Sequence, residues 1–264
     1  MRGAGRPRTM AATKGVRMVL KDKVAVITGG SGAIGAASAH RLAEAGAKVV
    51  VGYNSKAGAA DSVVKALPGD GHRAMRIPML ETAVIRQAAS EVEREYGRCD
   101  VLVNSAGFTR LVPHHDLEAL DDELIDAIFV ANVRGPFATI RAFVPLMKRT
   151  GSGVIVNISS AAAINGGGSN IAYGGSKAAL DTMALSLARV LGPEIRVMTV
   201  SPAAVDSAFV QGRTTAMVEK AATTTPLKRV VQADEVAQAV MASVVNLTAT
   251  TGWIIPVDGG KLVN

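Results

Sequence analysis

Between Val24 and Val257, short apolar runs alternate with longer stretches in which apolar residues recur every three or four positions. The runs are VAVIT (24–28), KVVVGY (48–53), RAMRIPM (73–79), VLVN (101–104), VIVNIS (154–159), RVMTV (196–200) and WIIPV (253–257). None shows the clean apolar/polar alternation of a half-exposed strand. They therefore predict strands covered on both faces, as in a parallel sheet. The stretches between them predict helices near 34–45, 57–67, 83–96, 121–148, 171–191 and 233–245. This rhythm specifies a doubly wound α/β sheet. Pro78 falls inside the third run, and a proline cannot donate to a ladder, so that strand is assigned to an edge. In a Rossmann strand order of 3-2-1-4-5-6 the third strand is an edge.

Composition adds limits rather than a function. The 264 residues are 48% hydrophobic, which suits one domain with a sizeable core. No uninterrupted apolar stretch reaches the ~20 residues of a membrane span, so no membrane partner is expected. The formal charge of +7 is concentrated in Arg2, Arg6, Arg8, Lys14 and Arg17, with no acid before Asp22. That distribution argues for a disordered leader over residues 1–20, with Met10 or Met18 as alternative starts, and against a nucleic-acid partner. Residues 21–264 then form one catalytic domain. Cys99 alone cannot form an internal disulfide, which suits a reducing cytoplasm. His114 and His115 are adjacent and their side chains diverge, so no metal-ligand spacing exists.

The first βα junction, TGGSGAIG (28–35), can be read in two registers. Gly30, Gly32 and Gly35 spell G-x-G-x-x-G, whereas Thr28, Gly29 and Gly35 fit a looser T-G-x-x-x-G-x-G with Ala33 at its middle glycine. Either lets the backbone approach a pyrophosphate at a helix N-terminus, and a tight turn without a ligand would use the same residues. The second strand ends in Tyr53, Asn54, Ser55 and Lys56, with no carboxylate to grip a ribose 2′-hydroxyl. Their hydroxyl, amide and ammonium groups suit a 2′-phosphate, which favours NADP(H) over NAD(H).

Tyr173 and Lys177 are four residues apart at the start of a predicted helix and so share one face. An ammonium beside a phenol stabilises the phenolate and makes the tyrosine an acid/base near neutral pH. A solvated helix face would show the same spacing. Ser160, at the C-terminal end of the preceding strand where such sheets bind ligands, favours the chemical reading.

With these residues in place the chain resembles a short-chain dehydrogenase/reductase from about Lys21 to Val263. The resemblance is carried by TGGSGAIG, NSAG (104–107), Asn132 in VANVRG, Ser160, YGGSK (173–177), SPAAVDS (201–207) and VDGG (257–260), in that order. The 3-oxoacyl-acyl-carrier-protein reductase-like branch is the most similar, including TPLKRVVQADEVAQAV (225–240). The resemblance implies a seven-stranded parallel sheet of order 3-2-1-4-5-6-7 and hydride transfer between nicotinamide and a carbonyl or secondary alcohol. It implies that Tyr173 protonates the carbonyl oxygen and that Ser160 hydrogen-bonds it. Lys177 would lower the tyrosine pKa and hold the nicotinamide ribose, and Asn132 would order a water linking Lys177 to solvent.

The same resemblance places Thr28, Gly29, Ser31, Ala33, Ile34 and Gly35 around the pyrophosphate, which makes Gly30 and Gly32 largely coincidental and Ala33 a source of slight crowding. It places Tyr53 to Lys56 at the adenosine ribose, Met79 at the adenine, and Asn104, Ala106 and Gly107 along the adenosine side. Pro202, Ala203, Val205 and Ser207 would meet the nicotinamide, Ser207 standing for a usual threonine. Ser105 and Ala203 depart from the family's asparagine and glycine. Loops 108–116, 162–170 and 204–215 would ring the substrate, with Gly166 to Gly168 a mobile wall and His114 either a substrate contact or an exposed loop residue. Helices over 121–148 and 171–191 imply a homotetramer. The expected substrate is a small carbonyl or alcohol, an acyl thioester included. The alternatives are an NAD-dependent dehydrogenase of a sugar, polyol or steroid alcohol, and a nucleotide-binding regulator without turnover. The joint presence of Asn132, Ser160, Tyr173 and Lys177 opposes the last.

Overall fold

Every apolar run becomes a strand, and those in the middle of the sheet do so because both of their faces find a layer to fill. In the computed structural model, which describes residues 17–263, these are β1 (Val24–Thr28), β2 (Lys48–Tyr53), β3 (Arg73–Arg76), β4 (Val101–Asn104), β5 (Gly153–Ile158), β6 (Ile195–Pro202) and β7 (Trp253–Val257). All pair in parallel, in the order β3-β2-β1-β4-β5-β6-β7. Ala25 and Ile27 fill one apolar layer and Val24 and Val26 the other; Val154 and Val156 oppose Ile155 in the same way.

The helices are α1 (Ala33–Glu44), α2 (Ala57–Ala66), α3 (Thr82–Tyr96), α4 (Asp122–Phe129), α5 (Gly135–Thr150), α6 (Ala162–Asn165), α7 (Ile171–Leu191), α8 (Thr215–Ala222) and α9 (Ala233–Met241). A π turn over Val130–Arg134 joins α4 and α5 into one helix, and another over Ala242–Asn246 extends α9. The joined helix Asp122–Thr150 is long and apolar enough to cross a membrane by length and composition, but half of its apolar window is buried in the core.

Three details differ from the sequence reading. β3 stops at Arg76, so Pro78 lies beyond the strand; β3 is an edge because of the crossover order, not because of that proline. The short helices α6 and α8 carry too little periodicity to be anticipated. Most of the expected leader, residues 1–16, falls outside the described residues. At the end of that leader, Met18 N donates to Val245 O at 3.2 Å and Leu20 is buried in the core. Cys99 is buried, and burial pushes its thiol well above the ordinary value, which leaves it inert.

At the N-terminal ends of the strands, Asp100 ties three of them together. Its carboxylate accepts from Val24 N at 2.9 Å and from Arg98 Nε and Nη2 at 2.7 Å, with Lys23 Nζ at 3.4 Å. Its backbone N–H donates to Val24 O and its carbonyl accepts from Val154 N. Burial alone would raise the Asp100 carboxyl, yet Arg98, the Val24 N–H and Lys23 together hold it below the ordinary value. Asp100→Asn should destabilise the protein by about 1–3 kcal/mol near neutral pH. A depressed folded value contributes stability above the unfolded pKa and loses it as pH falls through the folded one. Denaturant melts should therefore show the gap between the two proteins closing below about pH 4.

Candidate active site

The C-terminal ends of β1, β4, β5 and β6 and the N-termini of α1 and α7 enclose a cleft of about 650 Å³. Its floor at β1 requires glycine at particular places. Gly29 has φ +63°, and a Cβ there would stand 2.8 Å from the Ala106 backbone. A Cβ at Gly35 would stand 2.3 Å from Gly29 O. At Gly30 it would meet Val51 Cγ1 at 2.9 Å and Ile27 O at 3.1 Å, whereas at Gly32 it meets only Gly29 O at 3.3 Å. The looser register thus holds at Gly29 and Gly35, but Gly30 is not coincidental: β2 packs against it. Ala33 is the first residue of α1 and avoids positive φ. Gly32 caps α1 without a side-chain hydrogen bond and no acid occupies the first turn, so its free N–H groups suit the pyrophosphate of a dinucleotide.

The expected cofactor residues divide. Ser31, Ala33, Ile34, Lys56, Gly107, Pro202, Ala203, Val205 and Ser207 line the cleft, as does Ser105. Thr28 is buried and its Oγ1 accepts from Ala106 N at 3.2 Å, which seats the 105–107 segment beside the glycine loop. Asn104 does not reach the cleft with its amide: Nδ2 donates to Asn157 Oδ1 at 2.9 Å and Oδ1 accepts from Thr139 Oγ1 at 2.6 Å. Met79 is buried against Gly135 and is not among the lining residues. Tyr53 is half-buried beside the core, while Asn54 and Ser55 are exposed. His114 is exposed and stands away from the cleft wall. Arg76, overlooked in the sequence because β3 is distant in the chain, pairs in register with Tyr53. Its Nε donates to Asn54 O at 3.3 Å and its guanidinium pairs with Glu81.

On the other wall the cap of α7 sets the geometry. Asn170 Oδ1 accepts from Tyr173 N at 2.7 Å while its Nδ2 donates to Arg110 O at 2.8 Å, fixing the first turn. Tyr173 and Lys177 then project into the cleft with Ser160 from the end of β5. Lys177 Nζ donates to Ile158 O at 2.9 Å and stands 5.8 Å from the Tyr173 ring centroid. Asn132, in the first π turn, accepts from Phe108 N at 2.8 Å and donates to Phe108 O at 3.0 Å and Ser176 Oγ at 3.1 Å. It pins the 108 loop to α7.

Electrostatics here differ from the expected lowered tyrosine. Burial pushes Tyr173 up to about 12, against the opposing pull of the Ser160 hydrogen bond and the Arg213 charge. Burial takes Lys177 down to about 8, opposed by Asp181 one turn along α7. Asp181 is itself buried; burial raises its carboxyl against the Ser159 hydroxyl and Lys177, and its Oδ1 has no hydrogen-bond partner. Burial thus leaves a phenol that stays protonated across the neutral range beside an amine whose value lies near neutrality.

Residues 29–261 match a family model described as Enoyl-(Acyl carrier protein) reductase. The chain is 34% identical over 251 residues to a 3-oxoacyl-acyl-carrier-protein reductase of Thermotoga maritima, covering 93% of this chain and 100% of the relative. The chain is a short-chain dehydrogenase/reductase. It is also 33% identical over 248 residues to a 3alpha-hydroxysteroid dehydrogenase of Mediterraneibacter gnavus, covering 92% of this chain and 98% of the relative. A short-chain type dehydrogenase/reductase structure from Mycobacterium ulcerans superposes with a TM-score of 0.85 at 26% identity, covering 94% of this chain and 92% of that one. The family makes the protein an oxidoreductase that uses a nicotinamide dinucleotide.

In this short-chain dehydrogenase/reductase the three glycines of the loop should separate in a mutational series. Gly35→Ala and Gly30→Ala should each cost about 1–3 kcal/mol by overpacking and weaken dinucleotide binding. Gly32→Ala, with a single 3.3 Å approach to Gly29 O and a negative φ, should cost less than either and weaken binding least. Thermal melts and fluorescence titration with NADPH check the order.

Proposed function

We propose that the protein reduces the carbonyl group of a small molecule with a preference for NADPH, and oxidises the corresponding secondary alcohol through the same residues. The carrying observation is the buried Tyr173 with Ser160 and Lys177 around it, facing the glycine-lined cleft. The bound dinucleotide supplies the hydride. Tyr173, protonated across the neutral range, gives its proton to the carbonyl oxygen as negative charge develops there. Ser160 donates a hydrogen bond to that oxygen, a preorganised donor where charge appears. Lys177, oriented by Ile158 O, keeps its remaining N–H groups for the ribose hydroxyls and favours the phenolate once the proton has left. Asn132 orders the water through which Lys177 regains a proton from solvent. Ser31, Ala33 and Ile34 receive the pyrophosphate, and Pro202, Ala203, Val205 and Ser207 the nicotinamide.

Support for NADPH comes from Lys56, which lines the cleft, and from Arg76, which sits against Asn54 beside Tyr53 and is held there by Glu81, with no carboxylate within the 53–56 segment itself. The reading includes a homotetramer, supported by the exposed apolar side chains Phe129 and Phe137 on the long helix and Leu185 and Val190 on α7.

Tyr173→Phe should lower turnover about 100- to 10,000-fold while NADPH binding stays within a few-fold; retained turnover would sink the mechanism. Because Lys177 is held near 8, kcat/KM for reduction should decline as pH rises past that value. The Asp181 carboxylate raises Lys177, so Asp181→Asn should move this alkaline limb to lower pH. In initial-rate comparisons NADPH should exceed NADH, and Arg76→Ala should narrow the ratio. A clear NADH preference in the unsubstituted enzyme overturns the cofactor assignment.

A further inference from the structure

A cation that belongs to no ion pair among the described residues stands on the cleft wall. Arg213, between β6 and α8, lines the cleft with Tyr173 and Phe209. Its side chain is partly buried, and its Nη2 donates to Val205 O at 2.7 Å. Asp206, whose charge it feels, is exposed and accepts from the Thr215 hydroxyl at 3.3 Å.

The other charges on the cleft wall have partners or a place. Arg229 pairs with Glu235, Lys261 donates to Thr224 Oγ1, and Lys177 donates to Ile158 O. Lys56 lies at the end of β2. Asp258, an acid on that wall, accepts from Gly260 N and Leu262 N. Arg213 is left with a fork of N–H groups suited to two oxygens of one planar anion. Partial burial of a guanidinium on a single carbonyl is unfavourable, and an arriving carboxylate would offset that. The same cleft carries Leu111, Phe209, Val210, Met217 and Val218, an apolar lining fit for a hydrocarbon skeleton.

We propose that Arg213 receives a carboxylate of the substrate, so that the molecule reduced is an oxo acid with an apolar skeleton rather than a neutral ketone. This rests on the carbonyl reduction proposed above and names its substrate class. Arg213 lines the same cleft as Tyr173, so the anion it receives lies within one small molecule's length of the reacting carbonyl. A phosphate at the far end of a long carrier arm does not meet that condition.

The test uses the full chain, NADPH, and straight-chain oxo acids of graded carbonyl-to-carboxylate spacing, each against its methyl ester. At least one acid should exceed its ester in kcat/KM by about 10- to 100-fold, chiefly through KM, as a charge-assisted hydrogen bond provides. Arg213→Gln should bring that ratio towards unity and Arg213→Lys should restore part of it. Calorimetry with hexanoate and hexanamide in the presence of NADP+ gives a reading independent of turnover. Hexanoate should bind more tightly, and the difference should vanish in Arg213→Gln. Both acid–ester and acid–amide comparisons are readable in the unsubstituted protein if Arg213→Gln does not fold. Esters that match or exceed every acid, together with equal binding of hexanoate and hexanamide, overturn the carboxylate site. Arginine-dependent hexanoate binding without reduction of any carbonyl upholds the anion site and overturns the reaction instead.

Discussion

A parallel sheet must end all its strands on one side and must cross back through helices, and the placement of the chemistry follows from that constraint. Here β1 has β2 on one side and β4 on the other, so the crossovers leave in opposite directions and open a crevice between them. The glycine loop and the 105–107 segment face each other across it, close enough that a Cβ on Gly29 would collide with Ala106. The opposite ends of the strands hold the Asp100 cluster, which joins β1, β4 and β5 by charge and by backbone hydrogen bonds. The feature that resists unfolding and the features that handle ligand thus occupy separate ends of the same strands.

The strands also change character towards the cleft. On the face covered by α5 and α7, apolar Leu102, Ile155 and Val197 give way to buried Asn104, Asn157, Ser159, Thr199 and Ser201. Three atoms in this region, Asn157 Nδ2, Asp181 Oδ1 and Ser201 Oγ, have no hydrogen-bond partner. Buried polar atoms without partners are destabilising, so this end of the sheet gives up stability that an apolar face would have supplied. What it gains is a medium in which Lys177 can be buried with a nearby carboxylate, and in which burial drives the phenol and the ammonium in opposite directions. An acid that keeps its proton and an amine that releases one easily both come from the same exclusion of water.

The central strands were legible because burial on both faces leaves an unbroken apolar run, and β1, β2 and β4 begin and end where the runs do, as does the more exposed edge strand β7. Tyr173 and Lys177 were legible because helical spacing brings residues four apart together. What failed depended on contacts between distant segments. Gly30 looked dispensable until Val51 of β2 was seen against it, and Asn104 looked like a cofactor contact until Asn157 and Thr139 took its amide. Arg76 and Arg213 are ordinary cations in the sequence, and only the register of β3 beside β2 and the fold of the 203–213 segment give them a place. The direction of the tyrosine shift was missed because spacing reports a neighbouring charge but not the depth of burial around it.

Relatives that share this architecture bear names as different as oxoacyl reductase and hydroxysteroid dehydrogenase. A sheet and catalytic helix common to such proteins cannot be what distinguishes their substrates. Discrimination must reside in segments that the strand pairing leaves free to vary, and in this chain the segment from Ala203 to Thr214 is the clearest of them. It is anchored at both ends, by Ala203 N on Val257 O and by the cap of α8, with Val205 bridged to Val231 and strapped by Arg213. Between those anchors it presents Phe209 to the Tyr173 ring, with centroids 6.1 Å apart, and Arg213 to the same cleft. An aromatic and a cation held beside Tyr173 by a segment outside the sheet allow that wall of the cleft to change without disturbing Tyr173, Lys177 or the glycine loop.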